Sequence, residues 1–134
     1  MKVLVIVAHP DDEVLGMGGT LRKLSVKNHD IKVVFLATGI AARRSDNFRN
    51  ETKYEINKTL IKKMEEQIKK LRLDAKRALK ILGIKNIEFF DFPDNEMDMV
   101  SNLEITKTIE NIIKKFKPDV IYTHTKNDIN VDHR

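Results

Sequence analysis

The chain has 134 residues, of which 41% are hydrophobic and 34% are charged, and its formal net charge is +5. This composition predicts a globular chain with a core of its own, and it excludes both a disordered chain and one with an apolar run long enough to cross a bilayer. The sequence contains no cysteine, which excludes disulfides and thiolate metal ligands.

The positive charge does not indicate a nucleic-acid-binding protein. Lysines concentrate between residues 53 and 80, where Glu65, Glu66 and Asp74 are mixed with them, and this pattern is typical of a solvated helix face. The sequence has no Trp, and its Phe and Tyr residues are scattered through apolar positions instead of forming a stripe that could stack on bases. The apolar run near the N-terminus is too short for a signal peptide. We therefore expect a cytoplasmic protein with no nucleic-acid partner and no membrane span.

The first part of the chain predicts two strands separated by a helix. Residues 2–8 (KVLVIVA) form a nearly continuous β-branched run, which is typical of a strand buried on both faces in a parallel sheet. Residues 13–28 predict a helix, and residues 31–38 (IKVVFLAT) predict the second strand. The polar stretch 39–50 predicts a loop, and long loops after strands often carry function.

The remainder repeats this alternation. Apolar residues three or four apart predict a long helix from about residue 53 to residue 82, with Gly83 as its C-terminal cap. Residues 86–92 predict a strand, PDNEMD a turn, residues 102–116 a helix and residues 119–124 (DVIYTH) a fourth strand. Strands that alternate with helices predict one α/β domain over residues 1–134, with a Rossmann-like parallel sheet between flanking helices in three layers.

A histidine and three carboxylates follow the first predicted strand, at His9, Asp11, Asp12 and Glu13. A dinucleotide-binding turn would place glycines there, whereas Gly16, Gly18 and Gly19 come a turn or more into the helix and the carboxylates would repel a phosphate. The motif therefore predicts a cation site. Asp11 or Asp12 could instead simply cap the helix, but a cap needs only one carboxylate.

A second cluster, HTKNDINVDHR, follows the fourth predicted strand. Ligands of parallel sheets bind beyond the carboxyl ends of the strands, so we expect the two clusters to meet. His9, Asp12 and His133 form a donor set that suits Zn²⁺ with one open position, and Fe²⁺ accepts the same set. Asp132 could orient the neighbouring His133, although a capping Asp beside a surface His is the alternative. His29 lies in a plain turn and is expected to be exposed.

The sequence resembles the LmbE-like, or PIG-L-type, zinc-dependent N-deacetylases. Residues 8–13 match their A-H-P-D-D-E motif at every position, and residues 128–134 match their D-x-x-x-D-H-R motif. The resemblance implies hydrolysis of the acetyl amide of a small N-acetylated sugar or glycoside of the N-acetylglucosamine type. It implies that His9, Asp12 and His133 bind the metal and that Asp11 is the general base. Glu13, Asp132 and His124 are then expected to support these groups without binding the metal.

The chain departs from this family at several points. Asn130 replaces a histidine that many members use, and an asparagine can donate a hydrogen bond but cannot deliver a proton. We expect Asn130 to bind substrate, whereas Arg72 matches only loosely an arginine that some members place near the substrate. His124 could carry a proton in the reaction or could be only a buried hydrogen-bonding residue.

Family members continue beyond the position of Arg134. The resemblance therefore predicts a sheet that is incomplete at its C-terminal end, and a homo-oligomer or a partner segment that covers the open edge. Two other functions remain possible at this point: a catalytically silent domain that binds metal, and a Rossmann-like nucleotide-binding or interaction module without metal.

Overall fold

The computed structural model describes residues 1–40 and 58–134. Within these residues the helices and strands are β1 Lys2–Val7, α1 Asp12–Val26, β2 Asp30–Ala37, α2 Lys58–Ile81, β3 Asn86–Phe92, α3 Asn102–Phe116 and β4 Val120–Tyr122. The predicted α/β class and the predicted order of elements are confirmed. Most of the loop predicted at 39–50 and the first residues of the helix predicted from residue 53 lie outside the described residues.

The strands form one parallel sheet in the order β3-β2-β1-β4. β1 lies between β2 and β4, so that Val5 pairs with Val33 on one side and with Tyr122 on the other. Because all strands run in the same direction, their carboxyl ends lie at the same end of the sheet. The predicted Rossmann-like arrangement places both sequence clusters at this end.

Helices cover both faces of the sheet. One core contains Val3 and Val5 of β1 together with Leu21 of α1 and Leu79 of α2. The other core contains Leu4 and Ile6 of β1 together with Ile112 of α3. The side chains of β1 thus alternate between two apolar layers, which explains its unbroken apolar sequence and confirms the three-layer arrangement.

The glycines of α1 lie inside the helix and not in the turn that precedes it. Met17, between Gly16 and Gly18, has the non-helical dihedral angles φ −149° and ψ 22°, and the helix is kinked there. Glycine pairs are a common cause of such kinks. The position of the glycines agrees with the prediction that the turn before α1 is not a phosphate-binding loop.

The long helix α2 ends as its sequence predicts. Gly83 has φ +86°, its N–H donates to the carbonyl of Lys80, and the N–H of Ile84 donates to the carbonyl of Leu79. This pair of bonds is a Schellman motif, which favours glycine at the left-handed position.

No helix within the described ranges is long and apolar enough to span a membrane. The predicted cytoplasmic location stays a prediction.

β4 is shorter than predicted and forms one edge of the sheet. It pairs with β1 on its inner side, and Ile121 and Tyr122 are 42% and 39% exposed. Among the described residues no strand pairs with its outer edge. The expectation of an open edge at β4 therefore agrees with the described structure.

Candidate metal centre

The carboxyl ends of the strands bring the two sequence clusters together. His9 and Asp12 lie at the turn from β1 to α1, and His133 lies in a short 3₁₀ helix, Val131–His133, that follows β4. Their side chains meet at a cavity of about 220 Å³. The cavity is lined by His9, Pro10, Asp11, Asp12, Gly39, Asn130 and His133.

The three expected metal ligands have the spacing of a tetrahedral site. Asp12 Oδ2 lies 3.5 Å from His9 Nδ1 and 3.2 Å from His133 Nε2. The two histidine nitrogens are 3.3 Å apart. A tetrahedral zinc ion with bonds of about 2.0–2.1 Å holds its donor atoms about 3.3 Å from one another. The donor set therefore fits a divalent metal in both chemistry and spacing.

Buried carboxylates hold the other side of the His9 ring. His9 Nε2 lies 2.7 Å from Asp94 Oδ1 and 2.8 Å from Asp132 Oδ2, and these carboxylate side chains are only 1% and 0% exposed. Burial lowers the pKa of His9, but its hydrogen bonds with Asp12, Asp94 and Asp132 outweigh that effect and raise the pKa to about 10. Without a metal, His9 is therefore an imidazolium paired with carboxylates.

His133 is oriented by Asp128, not by its neighbour in sequence. Asp128 Oδ2 lies 3.0 Å from His133 Nδ1, which leaves Nε2 directed at Asp12. Asp132 was expected to orient His133, but its carboxylate contacts His9 instead. The reason is that successive residues of a 3₁₀ helix point about 120° apart, so adjacent side chains face different groups.

Asp12 is held as a carboxylate by its surroundings. Burial raises the pKa of Asp12, but the imidazoles of His124 and His9 and the N–H of His9 outweigh it and hold this pKa well below its usual range. The N–H of His9 donates to Asp12 Oδ2 over 2.9 Å. Asp12 is therefore ionised and ready to bind a cation at neutral pH.

His124 supports the site through its backbone contact and its ring. The N–H of Ala8 lies 2.9 Å from His124 Nε2, and the same ring nitrogen lies 3.3 Å from Asp12 Oδ2. Its ring stacks on that of His133, with 3.7 Å between centroids and 4° between planes. His124 thus contacts a ligand residue of the candidate site, and a proton-carrying role for it stays a prediction.

Asp11 occupies an unusual backbone conformation at the start of α1. Its φ is 143°, in a region that L-residues rarely adopt, and such strain is typical of functional turns. The Asp11 carbonyl accepts the N–H groups of Val14 and Leu15, but its side chain makes no capping hydrogen bond to α1. A helix cap therefore does not account for the Asp11 carboxylate at the cavity.

Glu13 holds this turn from within the protein. Its side chain is fully buried, and its Oε2 accepts the N–H of Asp11 over 3.1 Å. Burial raises the pKa of Glu13. Glu13 thus contacts the backbone of Asp11, which agrees with the expected supporting role.

The two expected substrate-binding residues have different positions. Asn130 lines the cavity, and its Oδ1 accepts the N–H of Asp132, which caps the 3₁₀ helix. The structure does not bring Arg72 to the cavity: Arg72 Nη2 donates to the carbonyl of Phe90 and to Asp91 Oδ1, at the end of β3. A substrate contact by Arg72 stays a prediction.

His29 lies apart from the cluster, as predicted, but it is half-buried and not exposed. Its Nδ1 lies 3.2 Å from the N-terminal amine of Met1. The turn that contains it joins α1 to β2 at the amino ends of the strands, whereas the cavity lies at their carboxyl ends. His29 therefore has no part in the candidate site.

Sequence reasoning gave no role to Asp94 or Asp128. Asp94 lies two residues after β3, at the same end of the sheet as the other polar residues, so the position after a strand was the signal that could have identified it. Asp128 belongs to the second motif, but its contact with His133 depends on the turn between them. Both carboxylates contact a histidine of the candidate site.

Comparison with known proteins supports a relationship over the whole chain. A family model described as GlcNAc-PI de-N-acetylase (PIG-L) matches residues 4–134. The diacetylchitobiose deacetylase of Thermococcus kodakarensis is 31% identical over 120 residues, which cover 90% of this chain and 39% of that protein. The uncharacterized deacetylase YaiS of Escherichia coli is 30% identical over 98% of this chain and 61% of that protein. The chain thus spans about two fifths to three fifths of these relatives.

Solved structures agree with this relationship. The N,N'-diacetylchitobiose deacetylase of Pyrococcus horikoshii has a TM-score of 0.74 at 27% identity, over 99% of this chain and 45% of that one. The 4-carboxy-2-hydroxymuconate hydratase GalB of Pseudomonas putida has a TM-score of 0.72 at 24% identity, over 98% of this chain and 50% of that one, which shows a shared fold alone. Both sequence motifs, the fold and the family model lead to one conclusion: the chain belongs to the PIG-L family.

Proposed function

We propose that this chain carries the metal site of a deacetylase that hydrolyses the acetyl amide of an N-acetylglucosamine-type sugar. The observation that carries the proposal is the tetrahedral spacing of His9 Nδ1, Asp12 Oδ2 and His133 Nε2. The names of the relatives support the substrate class, since they include deacetylases of diacetylchitobiose and, as a probable assignment, of N-acetyl-α-D-glucosaminyl L-malate.

His9, Asp12 and His133 would hold the metal, and we propose Zn²⁺ with Fe²⁺ as the alternative. A bound divalent ion would supply Lewis-acid chemistry, by making a water more acidic and by stabilising negative charge on the acetyl oxygen. Three protein donors leave the remaining coordination to water and substrate, which is typical of catalytic and not structural sites.

Asp11 is the proposed general base. Asp11 lines the cavity beside Asp12, but it does not belong to the group of His9, Asp12 and His133 that could hold the metal. Its carboxylate accepts the proton of the attacking water and then passes it to the leaving amine, so that one group serves both proton transfers. Asn130, on the same cavity, donates a hydrogen bond to the acetyl oxygen through its amide nitrogen and does not protonate the amine.

The experiment is acetate release from diacetylchitobiose by metal-loaded protein, with the variant Asp11→Asn beside the wild type. We expect Asp11→Asn to keep its metal and to lose about 10²-fold to 10⁴-fold in rate, which is the usual contribution of a positioned base. The matched control is Glu96→Gln, at an exposed carboxylate on the turn after β3, and it should retain the wild-type rate.

Two results would contradict the proposal. Wild-type protein that carries metal but releases no acetate indicates the catalytically silent alternative. Loss of metal in Asp11→Asn in proportion to its loss of rate makes Asp11 a ligand and not a base.

A further inference from the structure

We infer that Asp94 is a positioning residue that orients the His9 ring for metal binding. The inference rests on the metal site of the proposed function, but not on the reaction that the site performs. Asp94 lies in the turn that joins β3 to the 3₁₀ helix Met97–Met99, far in sequence from both motifs.

The first argument is the geometry of the His9 ring. Nδ1 faces the other two expected ligands, while Nε2, on the opposite side of the ring, lies 2.7 Å from Asp94 Oδ1. An imidazole that is held against a carboxylate at one nitrogen has a fixed direction at the other. Since the Asp94 side chain is only 1% exposed, water does not compete for this contact. Asp94 therefore fixes the direction in which Nδ1 points.

The second argument is that Asp132, the other carboxylate at His9 Nε2, also accepts hydrogen bonds from the backbone of the turn after β3. Its Oδ1 accepts the N–H of Met97 over 3.0 Å, and its Oδ2 accepts the N–H of Asn95. These bonds tie the turn after β3 to the 3₁₀ helix that carries His133. Asp132 thus holds in place the turn that presents Asp94, and the two carboxylates hold His9 together.

A second metal ion between His9, Asp94 and Asp132 is a less consistent explanation of this cluster. The distances from His9 Nε2 to the two carboxylate oxygens are 2.7 and 2.8 Å. These are distances of direct contact between an imidazolium and carboxylates, whereas donor atoms on a shared tetrahedral ion lie about 3.3 Å apart. The two carboxylates therefore support the His9 ring directly.

The test compares the metal affinity of the wild type with that of Asp94→Asn and Asp94→Ala. We expect both variants to bind Zn²⁺ about 10-fold to 100-fold more weakly in competition with a chelator, as is usual when a supporting carboxylate is removed. The d–d absorption spectrum of bound Co²⁺ should also change, because it reports the arrangement of the ligands. Glu96→Gln, on the same turn but exposed, should match the wild type in both measurements.

Unchanged Zn²⁺ affinity and an unchanged Co²⁺ spectrum in both Asp94 variants would overturn the inference. Failure of Asp94→Asn to fold, judged by circular dichroism, would also overturn it, because Asp94 would then serve the stability of the core and not the direction of the ring. A wild-type chain that binds metal through His9 but releases no acetate overturns the proposed reaction and leaves the inference on Asp94 intact. A wild-type chain that binds no metal overturns both.

Discussion

At the level of single residues, His9 connects the two halves of the candidate site through its two ring nitrogens. Nδ1 lies 3.3 Å from His133 Nε2, and Nε2 lies 2.8 Å from Asp132 Oδ2. Among the described residues, the polar contacts of the ring are with Asp12, with the second sequence cluster and with the turn after β3. The position of this one side chain depends on three separate segments of the chain.

The charge state of His9 predicts how metal binding depends on pH. The pKa of His9 is raised to about 10 in the metal-free protein, because hydrogen bonds with Asp12, Asp94 and Asp132 outweigh the opposing effect of burial. A ligating imidazole must be neutral, so a metal has to displace this proton, and its apparent affinity should rise by up to about tenfold per pH unit below about pH 10. The same raised pKa stabilises the metal-free fold fully below the unfolded-state pKa of about 6.5, and this stabilisation is lost as pH rises through about 10.

Competition with a chelator at several pH values between about 6 and 8 measures this dependence, after correction for the chelator's own protonation. His29→Gln is the control. Since His29 lies at the amino ends of the strands, away from the cavity, its removal should leave the dependence of metal affinity on pH unchanged. An affinity that does not vary with pH would show that His9 is already neutral before the metal binds.

At the level of secondary-structure elements, the end of β2 supports the turn that begins α1. Gly39 has φ +78°, and a Cβ atom there would lie 3.0 Å from Pro10 Cδ and 3.1 Å from Leu71 Cδ2. Gly39→Ala combines an unfavourable left-handed backbone with two close contacts, and we expect it to destabilise the fold by about 1–3 kcal/mol. Because Pro10 adjoins His9, metal affinity should fall as well.

Thermal unfolding of the metal-free protein and a metal titration measure the two effects. Gly19→Ala in α1 is the matched control: nothing lies within 4 Å of its added Cβ, and alanine favours a helix over glycine by about 0.5–1 kcal/mol. Equal stability and equal metal affinity of the two variants would show that the packing of Gly39 on Pro10 does not support the site.

At the level of the whole molecule, the exposed outer edge of β4 predicts association. Unpaired strand edges tend to pair with other chains, and Ile121 and Tyr122 expose apolar surface beside this edge. We expect the 134-residue chain to self-associate in sedimentation experiments, and Ile121→Lys to reduce association because a charged side chain on an edge strand opposes pairing. A wild-type chain that stays monomeric at high concentration would contradict this expectation.

The sequence was sufficient for the parts of the molecule that depend on local pattern. The apolar run of β1, the spacing of the helices and the position of polar residues after strands predicted the sheet, and they predicted that His9, Asp12 and His133 would meet. The sequence was not sufficient to predict contacts that depend on the shape of a turn. The contact of Asp132 with His9 follows from the direction of side chains in a 3₁₀ helix.

The contacts of Arg72 and Asp94 also could not be predicted from the sequence. A position on a helix does not reveal which group a long arginine reaches, and the guanidinium of Arg72 binds the end of β3 and not the cavity. Asp94 lies in an ordinary-looking turn, and its burial against His9 is visible only once the turn after β3 is folded against Asp132. Contacts between distant turns therefore had to come from the structure.

The most direct test of the account is the metal content of the chain, measured by elemental analysis after purification without chelator. The account predicts close to one divalent ion per chain in the wild type, because His9, Asp12 and His133 form a single site with tetrahedral spacing. It predicts almost complete loss of the ion in the double variant His9→Ala and His133→Ala. A double variant that keeps its full metal content would contradict the account.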